Sequence, residues 1–202
     1  MSEAMNGTMM YQPLTVGSLI DHAMQYHAGT EVVSVETSGD VETQNWGVVA
    51  ENARRLAAVL DTLGVAQGSR CATIAWNNRR HLEIYYGVAA SGRITHTINP
   101  RLHPDQLTFI VEDADDQVPF IDRTFLPAVA SLKPRLGNIR HFVLMGGRDA
   151  EAEAMLDGLK FYDELLGEVE PLSEWPALDE NSAAALCYTS GTTGNPKGVQ
   201  YT

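Results

Sequence analysis

Apolar residues recur along this chain at two spacings, one helical and one strand-like, and the two alternate. Val49, Ala53, Leu56, Ala57 and Leu60 repeat at the period of one helix face, which predicts the longest helix over residues 46–63. Asn45 stands where a side chain caps the first turn, and Gly64 stands where a helix ends. Upstream, residues 1–13 read as a loose leader. Thr15 or Ser18 then caps a short helix carrying Leu19, Ile20, Ala23 and Met24. Extended runs at 31–36 and 41–43 flank Ser38-Gly39-Asp40, the signal of a hairpin. Downstream, strands at 70–76, 93–98, 118–121 and 141–145 alternate with helices at 79–91, 104–111 and 125–132. In the helix over 79–91, Leu82, Tyr85, Tyr86 and Ala89 are expected to share one side, with Trp76, Tyr85 and Tyr86 as core aromatics. Residues 148–181 break the alternation. They are acidic, hold Pro171 and Pro176, and predict a short helix among solvated loops. A final apolar run, 183–187, reads as a buried strand. The fold class is therefore α/β, with a mainly parallel, helix-covered sheet. Residues 1–45 are expected to form a leader, helix and hairpin, and 46–202 a partial α/β domain.

Composition narrows the possible partners. The 202 residues are 44% hydrophobic and 20% charged, as in ordinary globular proteins. A formal charge of −12 argues against a surface for nucleic acid or anionic lipid. Any anionic ligand must meet locally concentrated positive charge. Cys71 and Cys187 lie far apart in apolar surroundings without metal-ligand spacing, so free thiols in a reducing compartment are expected. No basic, apolar leader and no run long enough to span a bilayer is visible, which makes the expected location cytoplasmic.

Residues 188–199, Tyr-Thr-Ser-Gly-Thr-Thr-Gly-Asn-Pro-Lys-Gly-Val, carry the chemistry. Gly191, Gly194 and Gly198 let a backbone curl so that its N–H groups approach an anion. Thr189, Ser190, Thr192 and Thr193 add hydroxyl donors, and Lys197 adds a compact charge. The arrangement suits a polyphosphate. It is no Walker A loop, because Pro196 precedes the lysine and Gly198 follows it. It is no nucleophile elbow either, because Tyr188 stands two before Ser190, so Ser190 reads as a ligand. The preceding strand delivers the loop to a strand's carboxyl end, where open α/β sheets bind ligands.

This run resembles the phosphate-binding signature of the adenylate-forming superfamily, which includes acyl-CoA synthetases, luciferases and peptide-synthetase adenylation domains. Residues 46–76, Asn77-Asn78, Glu83-Ile84-Tyr85-Tyr86-Gly87 and Thr97-Ile98-Asn99-Pro100-Arg101-Leu102 are similar to the fatty-acyl-CoA synthetase branch. The resemblance implies ATP binding through Thr189, Ser190, Gly191, Thr192, Thr193, Gly194 and Lys197, with Thr189 on the ATP-bound Mg2+. It implies activation of a carboxylic (fatty) acid to an acyl-adenylate and transfer to coenzyme A. It also implies that the adenine and ribose contacts, the hinge and the adenylation lysine lie beyond residue 202, in a C-terminal portion of the same protein. No catalytic residue is therefore expected within these 202 residues. By themselves they are expected to ligate little and to aggregate through an open sheet edge. An aryl-CoA ligase, a peptide-synthetase adenylation domain and a non-catalytic nucleotide-binding remnant stay open as alternatives. Asn99-Pro100-Arg101 reads as a turn with a solvent-facing charge. His81 with Glu83, His96 with His103, and Asp113 with Asp115 and Asp116 read as ordinary polar detail, since none has the spacing of a metal site.

Overall fold

The computed structural model describes residues 7–10, 12–189 and 195–202. Helix α1 (Val16–His27) follows Thr15, whose carbonyl accepts from the Ser18 hydroxyl at 2.6 Å. Strands β1 (Glu31–Val35) and β2 (Val41–Asn45) form the expected antiparallel hairpin. Asn45 caps α2 (Trp46–Thr62) by accepting from the Val48 N–H at 3.0 Å. Gly64, at φ +69°, closes that helix in the left-handed region that favours glycine.

The remainder builds a sheet of order β7-β6-β5-β3-β4-β8-β9. Its strands are β3 (Arg70–Ile74), β4 (Ile94–Thr97), β5 (Asp116–Ile121), β6 (Val143–Leu144), β7 (Lys160–Phe161), β8 (Ala185–Thr189) and β9 (Lys197–Tyr201). Every pairing is parallel except β8 with β9. Helices α3 (Arg79–Ala90), α4 (Pro104–Asp113) and α5 (Leu126–Leu132) connect successive strands, as parallel pairing requires. One face of the sheet packs Cys71, Val118, Phe120 and Val143 against Leu56 and Leu60 of α2 and Ile84 and Val88 of α3. The other packs Ala72, Ile74, Ile121 and Leu144 against Leu107, Ile110 and Val111 of α4 and Leu126 and Val129 of α5. The α2–α3 contact is close: a Cβ on Gly87 would stand 2.7 Å from the Ala53 carbonyl oxygen.

Two expectations need correction. The inner face of α3 is Ile84, Gly87 and Val88, whereas Leu82 and Tyr86 pack on a separate cluster with Ile20, Val49 and Trp46, and Tyr85 is exposed. The helix is sandwiched between the sheet and α1, so it has two apolar stripes instead of one. The acidic stretch also holds more structure than short apolar clusters announce. It contains α6 (Ala150–Met155), the edge strand β7 and α7 (Tyr162–Gly167), which bury Leu156, Phe161, Tyr162 and Leu166. Among the described residues, no helix is long and apolar enough to cross a membrane.

Candidate phosphate-binding site

The phosphate motif sits on a β-hairpin at the end of the sheet. Thr189 closes β8, Lys197 opens β9, and the two are paired in register, so residues 190–196 leave from between them. Because β8 runs parallel to β4, this exit lies at the carboxyl ends of the parallel strands. Ser190, Gly191, Thr192, Thr193 and Gly194 fall outside the described residues. Thr189 is exposed, and its hydroxyl donates to the Lys197 carbonyl at a long 3.5 Å. Lys197 is also exposed, and among the described residues its ammonium pairs with no carboxylate. Thr189 and Lys197 thus bring a hydroxyl and an ammonium to the same end of the hairpin.

Gly198 has a different role from the one its place in the motif suggests. It is a strand residue paired with Tyr188, and an added Cβ would meet that ring's Cζ at 3.1 Å and Leu186 Cδ1 at 3.2 Å. Its missing side chain makes room for Tyr188 instead of for an anion. The Tyr188 hydroxyl donates to Asp113 Oδ2 at 2.7 Å, and burial together with that carboxylate raises its pKa.

Under the hairpin lies a polar pair that sequence patterning does not show. His96 and Asp116 are both fully buried, with Nδ1 at 2.8 and 3.0 Å from the two carboxylate oxygens. The register explains how they meet. Arg70 pairs with Asp116 but Cys71 pairs with Val118, so Gln117 is an extra residue. That bulge turns Asp116 and Val118 to opposite faces. Asp116 thereby shares the face of Ala72, which pairs with His96. Burial raises the Asp116 pKa, and the His96 contact opposes the rise.

The remaining candidates resolve individually. Asp113, Asp115 and Asp116 diverge toward Tyr188, Arg70 and His96. Glu83, fully buried, accepts from Asn52 Nδ2 at 2.9 Å and from the Tyr162 hydroxyl at 3.0 Å. His81 lies 3.0 Å from the Thr73 hydroxyl, and burial lowers its pKa. Among the described residues, no three His, Cys, Asp or Glu side chains are grouped to hold a metal. Both cysteines are free, and burial pushes the Cys71 thiol up to about 12. Arg101 is solvent-facing in its turn, with its guanidinium 5.5 Å above the ring of Trp76. Trp76, beyond the end of β3, and Tyr85 are both exposed, which corrects their expected places in the core, whereas Tyr86 packs on the Ile20–Val49 cluster. An open apolar cleft of about 690 Å³ lies between the β1–β2 hairpin and α3, lined by Val32, Val35, Leu82, Tyr85 and Thr97.

Comparison with known proteins agrees with this architecture. The family described as AMP-binding enzyme matches residues 20–202. A 3-methylmercaptopropionyl-CoA ligase of Ruegeria pomeroyi is 56% identical over 197 residues, 98% of this chain and 36% of the relative. A medium-chain-fatty-acid–CoA ligase of Ectopseudomonas oleovorans is 50% identical over the same shares of both chains. The crystal structure of an anthranilate CoA ligase in complex with anthranoyl-AMP superposes with a TM-score of 0.83 at 20% identity, over 95% of this chain and 35% of that one. The chain thus spans little more than a third of the length of these relatives. Its mainly parallel α/β sheet is that of the N-terminal domain of adenylate-forming enzymes. The chain belongs to the AMP-binding enzyme family.

Proposed function

We propose that this chain is the phosphate-holding part of an ATP-dependent acyl-CoA ligase. The observation that carries the reading is the hairpin itself: Thr189 and Lys197 are paired and exposed at the carboxyl end of the sheet, on either side of the Gly/Ser/Thr loop. In this reading the amides and hydroxyls of Ser190, Gly191, Thr192, Thr193 and Gly194 surround the β- and γ-phosphates of ATP. Lys197 supplies positive charge to the departing pyrophosphate, and Thr189 contributes a hydroxyl to Mg2+. Donors aimed where negative charge develops lower a barrier because they need no reorganisation when it forms. The carboxylate of the acid displaces pyrophosphate from ATP, and the coenzyme A thiol then displaces AMP. ATP and coenzyme A as co-substrates, together with two free cysteines, favour a cytoplasmic setting.

For the acid we favour an unbranched aliphatic one. Support comes from 56% and 50% identity to ligases named for a 3-methylmercaptopropionyl and a medium-chain fatty acyl product. The anthranilate ligase shares the fold at 20% identity, which carries no substrate preference.

Calorimetric titration of Mg-ATP into the 202-residue chain and its Lys197→Ala variant tests the reading. Saturable binding that weakens about tenfold in the variant, equivalent to about 1.4 kcal/mol, is expected. Equal affinities, or no binding by a folded chain at millimolar Mg-ATP, would contradict it.

A further inference from the structure

The seam that joins the phosphate hairpin to the sheet is short. β8 pairs with β4 at two positions only, Thr95 with Ala185 and His96 with Leu186. Residues 187–189 run past that seam paired only with β9, so the side chains they place against β4 and α4 tie the hairpin to the rest of the sheet. On one face the Thr97 hydroxyl lies 3.5 Å from Cys187 Sγ. On the other, the ring of Tyr188 leans on the His96 imidazole, with centroids 5.2 Å apart and planes at 42°. Tyr188 is thus held at three points: by His96, by the Asp113 carboxylate and by the backbone of Gly198. Two of its holders lie on other elements, and the third belongs to the motif.

His96 is itself fixed with unusual stringency. Its side chain is wholly buried, and Asp116 holds Nδ1. Asp116 engages one ring nitrogen only and leaves Nε2 to the protein interior. That nitrogen is buried with no hydrogen-bond partner among the described residues. A buried polar pair and an unsatisfied nitrogen are poor choices for stability, since a close-packed apolar pair serves as well or better. What a polar pair supplies is a single ring orientation. Dispersion alone would let Leu or Phe at this position rotate, whereas the Asp116 contact locks the plane on which Tyr188 rests.

We infer that His96 is a positioning residue for the phosphate hairpin: oriented by Asp116, it sets Tyr188, and Tyr188 sets the paired strand ends at Thr189 and Lys197 that flank the motif. The inference rests on the phosphate reading above for its ligand. The groups facing the imidazole's network are Asp116 of β5, Arg70 of β3 and Tyr188 of β8, with Asp113 of α4 behind the tyrosine. His96 touches no ligand and transfers no proton.

The test compares the 202-residue chain with His96→Asn, whose amide stands where Nδ1 was and can still donate to Asp116 but offers no ring to Tyr188. Three quantities are read: Mg-ATP affinity, amide exchange rates, and the imidazole nitrogen resonances of the unsubstituted chain during Mg-ATP titration. Positioning predicts about tenfold weaker Mg-ATP binding in the variant. It predicts faster exchange at Lys197–Tyr201 with Cys71–Ile74 unchanged. It also predicts a His96 resonance that moves along the same saturation curve as binding, although the ring is buried. Unchanged affinity and exchange in the variant, uniformly faster exchange across the sheet, or a stationary His96 resonance would each overturn it. Should His96→Asn fail to fold, Asp116→Leu keeps the ring but removes its holder and is read by the same affinity and exchange measurements. A chain that binds no Mg-ATP at all would sink the phosphate reading. The exchange contrast between β9 and β3 would then decide on its own whether His96 positions the hairpin.

Discussion

β3 and β9 belong to one sheet and live in opposite surroundings. β3 is paired on both sides, and its last four residues are buried between helices. β9 has a single neighbour, and all five of its residues are exposed. The motif with the clearest chemistry stands on the weak strand. Burial contributes roughly 25 cal/mol for each Å² of apolar surface removed from water, so stability accumulates where strands are covered twice. A polyphosphate site needs exposed donors and a backbone able to close around its ligand, and such segments come from the low-stability end of a fold. The two regions meet where Tyr188 touches His96.

The comparison can be broken most forcefully from the strong side. Phe120 is 1% exposed and stacks edge-on with Tyr162 at 6.3 Å, so Phe120→Ala should cost about 3–5 kcal/mol in denaturant unfolding. A loss well below that would mean the centre is looser than described. Gly87→Ala should follow at roughly 1–3 kcal/mol, because its new methyl meets the Ala53 carbonyl oxygen and Leu56 and the helices must part. On the weak side the ranking of readouts reverses. Gly198→Ala pushes on Tyr188 and should weaken Mg-ATP binding several-fold, while unfolding free energy shifts by less than about 1 kcal/mol, since β9 is exposed and single-sided. A large stability loss without a change in affinity would reverse the assignment of that glycine.

The smallest expected effect concerns pH. Burial raises the Glu83 pKa above its ordinary 4.5, against the contacts of Asn52, Arg79 and Tyr162. A carboxyl whose folded pKa is raised binds more protons folded than unfolded, so its contribution to stability is full below 4.5 and declines as pH rises through the folded value. Glu83→Gln removes that decline. Its melting temperature relative to the unsubstituted chain should therefore climb as pH rises from about 4 through neutrality. A difference independent of pH would show that Glu83 does not carry this titration.

How far the sequence revealed these regions depended on the range of the interactions involved. Local signals served well: the period of α2, the Asn45 cap, Gly64, the hairpin at Ser38-Gly39-Asp40 and Pro104 opening α4 all reappear in the fold. Each depends on neighbours within a turn. The inner face of α3 departs from the single expected stripe because two partners cover the helix, and one stripe cannot report two contacts. β7 is two residues long, too short for any period to show. At the site, Thr189 and Lys197 lie eight residues apart in sequence and meet only through the β8–β9 register, which no motif spells out. The His96–Asp116 pair depends on one extra residue, Gln117, altering the facing of a strand, and no local pattern announces such a bulge. The adjacent Asp115, the one non-glycine described residue at positive φ (52°), lies at that irregularity but has no sequence signature of its own.

Residue-resolved hydrogen exchange with and without Mg-ATP tests the central claim most directly. The account predicts slow exchange in β3 and β5 under both conditions. It predicts fast exchange in β9 of the free chain, slowed at Lys197–Tyr201 when Mg-ATP binds. Uniform protection across the sheet, or ligand protection confined to the Val32–Tyr85 cleft with β9 unaffected, would contradict it.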